Sequence, residues 1–573
     1  MFPYPVSNGA RRRNHTKYQT ENKMDYQKLA DLLFPDIDKT PADYEAMYPA
    51  RDLPEGTPVT RLGPSPTGFI HLGNLYGAFV DERLAHQHSG LFLLRIEDTD
   101  DKRFVEGAVE TVIDSLDYFG IHFDEGASKS GEIGDYGPYH QSDRGPLYRC
   151  FAKQLVAEGK AYPCFMTEEE IAAVREEQEQ QKLTPGIYGS FAKCRDLSYE
   201  EVKAHLDAGD VPVIRLRSQG NPEEPAQISV QDAIRGELTM PENFQDVVII
   251  KTMGLPTYHF AHACDDHLMR VTHVVRGEEW LSSLPIHYEL FTALGFELPM
   301  YCHTAVLMKV DENGNKRKLS KRKDPELALD FYKELGYHPL AVREYLLTIL
   351  NSNYEEWRMA NPDTSCDEFP FTLEKMSTSG ALFDIDKLNN VSKDVLVKIP
   401  AKDLYDFLIG WAKDYKPEVL PLLEDESYIE KILDLGRSGN KPRKDFVCAS
   451  QMFDFISYFF DDYYKLEDEI PAEVSKEDAA KILEAYLATY DHSDEQPDWF
   501  NKIRTLGTEL GYAAKPKDFK KNPDDYKGHV GHVSGVSRLA IVGRASSPDV
   551  WEIQQILGEE RTKARIEKMR AAL

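Results

Sequence analysis

Two short runs in this chain combine residue types suited to handling a polyphosphate. Arg61 to Asn74 reads R-L-G-P-S-P-T-G-F-I-H-L-G-N, and Lys318 to Arg322 reads K-L-S-K-R. A histidine at a helix N-terminus can donate to phosphate oxygens, helped by the unpaired backbone N–H groups and the positive end of the helix dipole. His71-Leu72-Gly73-Asn74 offers such a device, with Gly73 letting a nucleotide come close to the backbone. A cationic loop carrying Lys318, Ser320 and Lys321 can offset charge as a polyphosphate splits. Each run also has an ordinary structural reading: a histidine beside a turn, and a solvated basic loop. Neither a G-x-x-x-x-G-K-[ST] phosphate loop nor a G-x-G-x-x-G fingerprint occurs, so any nucleotide must be held by another device.

These residues need elements to position them. The prolines and glycines of the first run exclude a helix interior, so it is a loop between a strand starting near Thr57–Leu62 and a helix over Leu75–Ala85. A second strand, GLFLLRIEDTD, is nearly continuously apolar, as in a parallel strand covered on both faces, and the helix VEGAVETVIDSLDYFG follows. This order predicts an α/β, Rossmann-like doubly wound domain, whose ligands bind at the carboxyl ends of the strands beside the opening loop and Glu97-Asp98. Short alternating stretches such as VPVIRLR and QDVVIIKT follow the acidic helix TEEEIAAVREEQEQQ and indicate an inserted α+β module. The strand–helix pattern resumes at THVVRGEEWLSSLPIHYELFTALG, and beyond about Asp324 the periodicity is helical, ending in DVWEIQQILGEERTKARIEKMRAAL. The expected organisation is a leader over 1–56, disordered to about residue 23, with Met24 a candidate start of the folded protein. The α/β domain is split into 57–158 and 256–308, around an insertion at 159–255. A basic-loop and connecting region covers 309–393, and two helical domains cover 394–480 and 481–573.

At 573 residues the chain has ample core for several domains. No apolar run approaches the about 18 residues that span a bilayer, and the polar N-terminus is not a secretory signal. Seven scattered cysteines argue for a reducing compartment, hence the cytoplasm. The net charge of −29 opposes a polyanionic partner overall, but Lys316–Lys323 (KRKLSKRK) and the tail with Arg561, Lys563, Arg565, Lys568 and Arg570 are local basic patches.

The pairing of H-L-G-N with K-L-S-K-R resembles the two signatures of class I aminoacyl-tRNA synthetases. PSPTGFIHLGN, RIEDTD, PTYHFAHACDDHLM and RGEEW, in that order, closely resemble glutamyl-tRNA synthetases of the bacterial type. The resemblance is specific from about Val59 to Lys323 and weaker to the C-terminus. It implies a glutamate–tRNA ligase that forms glutamyl-adenylate from L-glutamate and ATP, with Mg²⁺ arriving on the ATP, and charges tRNA(Glu). It also implies an acceptor-binding insertion, a stem-contact region, two anticodon-binding helical domains and a monomer with no membrane partner.

By matching motif positions, the resemblance assigns Arg61 and Arg276 to the side-chain carboxylate of glutamate and Glu97 to its ammonium. Ser65, Tyr258 and His262 complete the amino-acid pocket. His71, Gly73, Asn74, Lys318 and Lys321 are assigned to ATP phosphates, and Glu279, Trp280 and Leu307 to adenosine. His71, Lys318, Ser320 and Lys321 form the catalytic set. The ordinary alternatives are an Arg276–Glu278 ion pair and a turn capped by Glu97 or Asp98. Three positions depart from the family pattern. Asn74 stands where a second histidine is frequent, and His262 where asparagine is frequent. Met166 replaces one thiolate of a C-x-C zinc site, leaving Cys164 and Cys194, so no zinc is expected. The competing functions are a glutaminyl-tRNA synthetase, expected to carry a β-barrel tRNA-binding region, a nucleotidylyltransferase, and a non-catalytic RNA-binding relative.

Overall fold

The computed structural model describes residues 24–66, 70–100, 105–439 and 441–573. The expected disorder of residues 1–23 lies outside the described residues. The rest of the predicted leader is structured. Helices α1 (Tyr26–Leu33) and α2 (Pro41–Met47) are capped by Asp25 and by a Thr40/Asp43 box. Leu29, Ala30 and Phe34 are buried in the same core as the α/β sheet. Arg51 then clamps the segment down, with Nη1 and Nη2 donating to Glu125 at 2.7 and 2.8 Å. Helices this short leave no periodic signal in an 11- to 18-residue window, so the sequence reading missed them.

The first sheet opens with parallel strands β1 (Val59–Leu62), β2 (Leu91–Leu94) and β3 (Glu125–Ser128), with β4 (Gly131–Ile133) antiparallel at the edge. Helices α3 (Leu72–His86) and α4 (Ala108–Tyr118) make the crossovers. After α5 (Gly145–Ala157) and the insertion, α8 (Tyr258–Leu268) leads into β10 (His273–Gly277), α9 (Leu284–Leu294) and β11 (Met300–Thr304), with β10 and β11 parallel. The halves meet at Val59, whose N–H donates to Thr272 Oγ1 (2.7 Å) and whose carbonyl accepts from Thr272 N–H (2.9 Å).

The insertion is less separate than its sequence suggests. Strands β5 (Ala161–Cys164), β6 (Val213–Leu216) and β9 (Val248–Ile250) form an antiparallel sheet beside α6 (Glu168–Gln180) and α7 (Tyr199–Asp207). The hairpin β7 (Gln227–Asp232) and β8 (Gly236–Pro241), however, adds to the β10–β11 sheet, with Asp232 paired to Tyr301 of β11. Beyond it, β12 (Leu307–Val310) and β13 (Lys316–Lys318) form a hairpin, which β14 (Ala381–Leu382) joins. The remaining chain is helical. One apolar core runs from Leu396 to Met569, and the expected boundary at 480 falls inside it.

Candidate active site

A cavity of about 650 Å³ opens at the carboxyl ends of β1, β2 and β10. Its wall contains Arg61, Ser65, Glu97, Tyr258 and Arg276 together with His71, Gly73, Asn74, Glu279, Trp280, Leu307 and Lys318. Residues assigned to the amino acid and to the nucleotide therefore share one space. Tyr258 and Trp280 touch within it, their ring centroids 4.4 Å apart.

His71 is the N-cap of α3. Its Nδ1 accepts from Asn74 N–H (3.2 Å), and Asn74 Oδ1 accepts from His71 N–H (3.1 Å). An acceptor Nδ1 puts the ring proton on Nε2. Burial, then Lys321 and Lys318, hold the His71 pKa below its ordinary value, so the ring is a neutral donor rather than a cation. Asn74, where a second histidine is frequent, closes the cap. Gly73 lines the cavity and also lies against His71. A Cβ there would sit 2.9 Å from His71 Cε1 and 3.0 Å from Nδ1, so the space a side chain would take is filled by the imidazole.

On the amino-acid side, the chain builds a buried ionic lattice that the motif assignments did not include. Arg95 is fully buried; it bonds Asp266 through Nη1 and donates to Glu97 Oε1 from Nη2 (3.1 Å). Arg61 donates to Asp266 from Nε (3.3 Å); burial pulls its pKa down, but Asp266 with Tyr258 and Asp81 raises it on balance and keeps the guanidinium charged. Arg144, Gln141 and Tyr148 bond Asp265 next door, at 2.7, 2.8 and 2.7 Å. The signal for this lattice was present in RIEDTD and CDDH, whose charged residues fall within apolar stretches. Burial lifts the Glu97 carboxyl above its ordinary pKa against the pull of Arg95 and Arg61. Its Oε1 lies where a Gly63 Cβ would be, 2.3 Å from the ideal position. Asp98 takes the turn-capping role, accepting from Ser142 N–H and Oγ–H at 2.8 Å each.

Arg276 does not pair with Glu278, which bonds Arg235 at 2.6 Å instead. Its Nε donates to His303 Nε2 (2.9 Å) and its Nη1 to His287 Nδ1 (3.0 Å); Nη2 is buried and has no hydrogen-bond partner among the described residues. His262 is expected to complete the amino-acid pocket. It is fully buried and absent from the cavity wall, with Nδ1 2.7 Å from Asp266 and Nε2 3.1 Å from the Tyr301 hydroxyl. Its ring lies parallel to that of Tyr258, 6.0 Å between centroids, behind the cavity wall.

Ser320 and Lys321 also lie outside the cavity wall, although Lys318 lines it. Their loop is tethered: Arg317 grips Asp324 with two 2.6 Å bonds, and Ser320 N–H donates to the same carboxylate at 2.8 Å. A bridge between His71 and Ala328 stitches the chain just beyond this loop to the first motif, which brings Lys321 close enough to depress the His71 pKa. In the insertion, Phe165 N–H donates to Cys194 Sγ at 3.4 Å, and a hydrogen bond with Cys194, then Arg215, lowers the Cys164 pKa. Among the described residues, no group of three or more His, Cys, Asp or Glu side chains is arranged to hold a metal ion.

Residues 58–390 match the model of the catalytic domain of class I (E and Q) tRNA synthetases, and residues 411–570 match an anticodon-binding domain. A glutamate–tRNA ligase of Acetivibrio thermocellus is 63% identical, covering 95% of this chain and 100% of the relative. One from Clostridium perfringens is 51% identical, covering 95% and 100%. Among solved structures, a glutamate tRNA ligase of Elizabethkingia meningosepticum in complex with its amino acid aligns at TM-score 0.72 and 27% identity, over 90% of this chain and 100% of that one. With both motif loops on one cavity at the carboxyl ends of the strands, this chain belongs to the class I (E and Q) tRNA synthetases.

Proposed function

We propose that this chain is a glutamate–tRNA ligase, which joins L-glutamate to ATP as glutamyl-adenylate and passes the glutamyl group to the 3′-terminal adenosine of tRNA(Glu). The observation that carries the choice of glutamate is Arg276, a cation in the cavity wall whose hydrogen-bond partners are imidazoles. A side-chain carboxylate there gains a charge-assisted bond, whereas the amide of glutamine leaves a buried cation unpaired. Arg61 adds to the positive field, but Asp266 already offsets its charge.

In the first step an oxygen of the α-carboxylate attacks the α-phosphorus of ATP in line, and the bond to the β-phosphate oxygen breaks to release pyrophosphate. The chain's part is positioning and charge stabilisation. Glu97 receives the ammonium, Ser65 and Tyr258 shape the amino-acid pocket, and Trp280, Glu279 and Leu307 receive adenosine. His71 donates from Nε2 to a phosphate oxygen, while Lys318 and Lys321 offset the charge growing on the leaving pyrophosphate. Gly73 and Asn74 hold His71, and Ser320 holds the lysine loop. Mg²⁺ enters with the ATP phosphates, which suits its preference for phosphate and water oxygens over an all-protein cage. In the second step the adenosine hydroxyl attacks the activated carbonyl and AMP leaves.

The insertion contacts the acceptor end, and the helical half reads anticodon bases, since RNA sequence is read at unstacked loop bases. That half is helical and not a β-barrel, which favours this reading over the glutaminyl enzyme. All seven cysteines are free, consistent with the cytoplasm, and the protein acts as a monomer. ATP–pyrophosphate exchange with glutamate, run with and without tRNA, tests the proposal. Arg276→Gln is expected to raise the glutamate KM on the order of 100-fold. No exchange by the wild type under either condition would sink it.

A further inference from the structure

Arg276 has an unusual pair of partners for a buried guanidinium. His303 donates from Nδ1 to Asp232 Oδ2 (2.7 Å), which leaves its Nε2 as the acceptor for Arg276 Nε (2.9 Å). His287 accepts from Arg276 Nη1 at Nδ1 (3.0 Å), so its Nε2 carries the proton and donates to His259 Nδ1 (2.9 Å). A nitrogen that accepts from a guanidinium must hold a lone pair, so both rings are uncharged in this arrangement. The face of the Tyr301 ring lies 4.6 Å from the guanidinium carbon. Asp232 reaches Arg276 only through the His303 ring.

We propose that His287 and His303 are specificity-determining positioning residues, which orient Arg276 by accepting its N–H groups while leaving its charge uncompensated for the side-chain carboxylate of the substrate. This rests on the reading of Arg276 as the receptor of that carboxylate. A carboxylate in place of either imidazole would fix the guanidinium equally well, but it would neutralise it before glutamate arrived. Glutamine would then lose much less by comparison. The Asp232–His303 bond sets which ring nitrogen faces Arg276, an acidic residue acting through an imidazole rather than on the cation itself.

The test uses the full-length protein in ATP–pyrophosphate exchange with tRNA(Glu) present, measured with glutamate and with glutamine. If the wild type does not exchange with glutamate, or Arg276→Gln leaves the glutamate KM unmoved, the functional reading and this extension both fall. Given those controls, His303→Glu and His287→Glu are expected to raise the glutamate KM on the order of 10- to 100-fold, with the ATP KM unmoved. They are expected to cut the glutamate-over-glutamine ratio of kcat/KM by a similar factor. His303→Gln and His287→Gln, polar but uncharged, are expected to recover most of that ratio. Anionic variants that keep full selectivity overturn the inference alone, as do neutral variants that lose as much as the anionic ones. Should the anionic variants fail to fold by circular dichroism, His287→Phe decides. It removes the acceptor without adding charge and must raise the glutamate KM above that of His287→Gln; equal values overturn the inference.

Discussion

Replacing Gly73 by alanine separates two roles for that glycine. If Gly73 serves the nucleotide, a methyl group blocks ATP directly. If it serves His71, the methyl group acts by moving the ring. The ideal Cβ lies 2.9 Å from His71 Cε1 and 3.0 Å from Nδ1. Carbon atoms in good contact sit about 3.5–4.0 Å apart, so the ring must withdraw by roughly 0.5–1 Å. The stability cost is small. Losing the His71–Asn74 cap costs about 1 kcal/mol, and the gain in helix propensity from Gly to Ala returns up to about 1 kcal/mol. Activity has no such offset, because a misplacement of about 1 Å near the chemistry can cost on the order of 100-fold. Gly73→Ala is therefore expected to unfold near the wild-type temperature and lose about 100-fold in the kcat of ATP–pyrophosphate exchange. The decisive measurement is the double variant. If the glycine acts through His71, His71→Ala with Gly73→Ala falls no further than His71→Ala alone. A full additional loss in the double variant, or an unchanged kcat in Gly73→Ala, would refute the argument.

Five further outcomes are expected. Gly63→Ala places a Cβ 2.3 Å from Glu97 Oε1 and should raise the glutamate KM without moving the ATP KM, as read by exchange kinetics. Arg317→Ala removes both 2.6 Å bonds to Asp324 and should lower kcat by loosening the lysine loop. Arg317 holds the Asp324 pKa down at about 2, so this tether is intact above the ordinary carboxylate range and is lost as pH falls through about 2; acid titration of the loop should show it. Burial lowers the His262 pKa to about 4, so its unfolded form binds a proton first as pH falls below its ordinary value. Stability should be complete above about pH 6.5 and fall by up to about 3 kcal/mol on the way to pH 4, a slope that His262→Asn should flatten in urea unfolding. Metal analysis of the purified protein should find no stoichiometric zinc. Cys164 and Cys194 share their site with Arg215, a cation that helps to depress the Cys164 pKa and would repel Zn²⁺.

The elements around the cavity were legible where the signal is local. Pro64, Pro66 and Gly63 forbid a helix, the apolar run Leu91–Leu94 demands a covered strand, and Thr167 with Glu170 announces the helix that follows. What escaped the sequence is pairing across long separations. Arg61 and Arg95 meet Asp266 from more than 170 positions away, and Arg276 meets His287 and His303 on neighbouring elements. A charged residue in an apolar stretch announces that it needs a partner and does not name it. Hence Arg276–Glu278, two positions apart in sequence, was the natural alternative, and the fold gave Glu278 to Arg235.

The first motif shows how little a tetrapeptide decides alone. His529-Val530-Gly531-His532 begins a helix in the C-terminal half and repeats the device. His529 Nδ1 accepts from Gly531 N–H (3.0 Å), His532 accepts from His529 N–H (3.4 Å), and a Gly531 Cβ would meet His529 Cε1 at 2.6 Å. It is absent from the cavity wall. His-x-Gly followed by a polar residue thus encodes a helix cap in which the glycine makes room for an imidazole. At His71 that cap sits at the carboxyl end of β1, is bridged to Ala328, and lies within electrostatic reach of Lys318 and Lys321. The chemistry belongs to that conjunction, so placing H-L-G-N at the start of the Val530 helix in a His71→Ala variant should leave a stable cap and restore no ATP–pyrophosphate exchange, while loosening the Ala328 bridge should lower the kcat of exchange with the His71 cap intact.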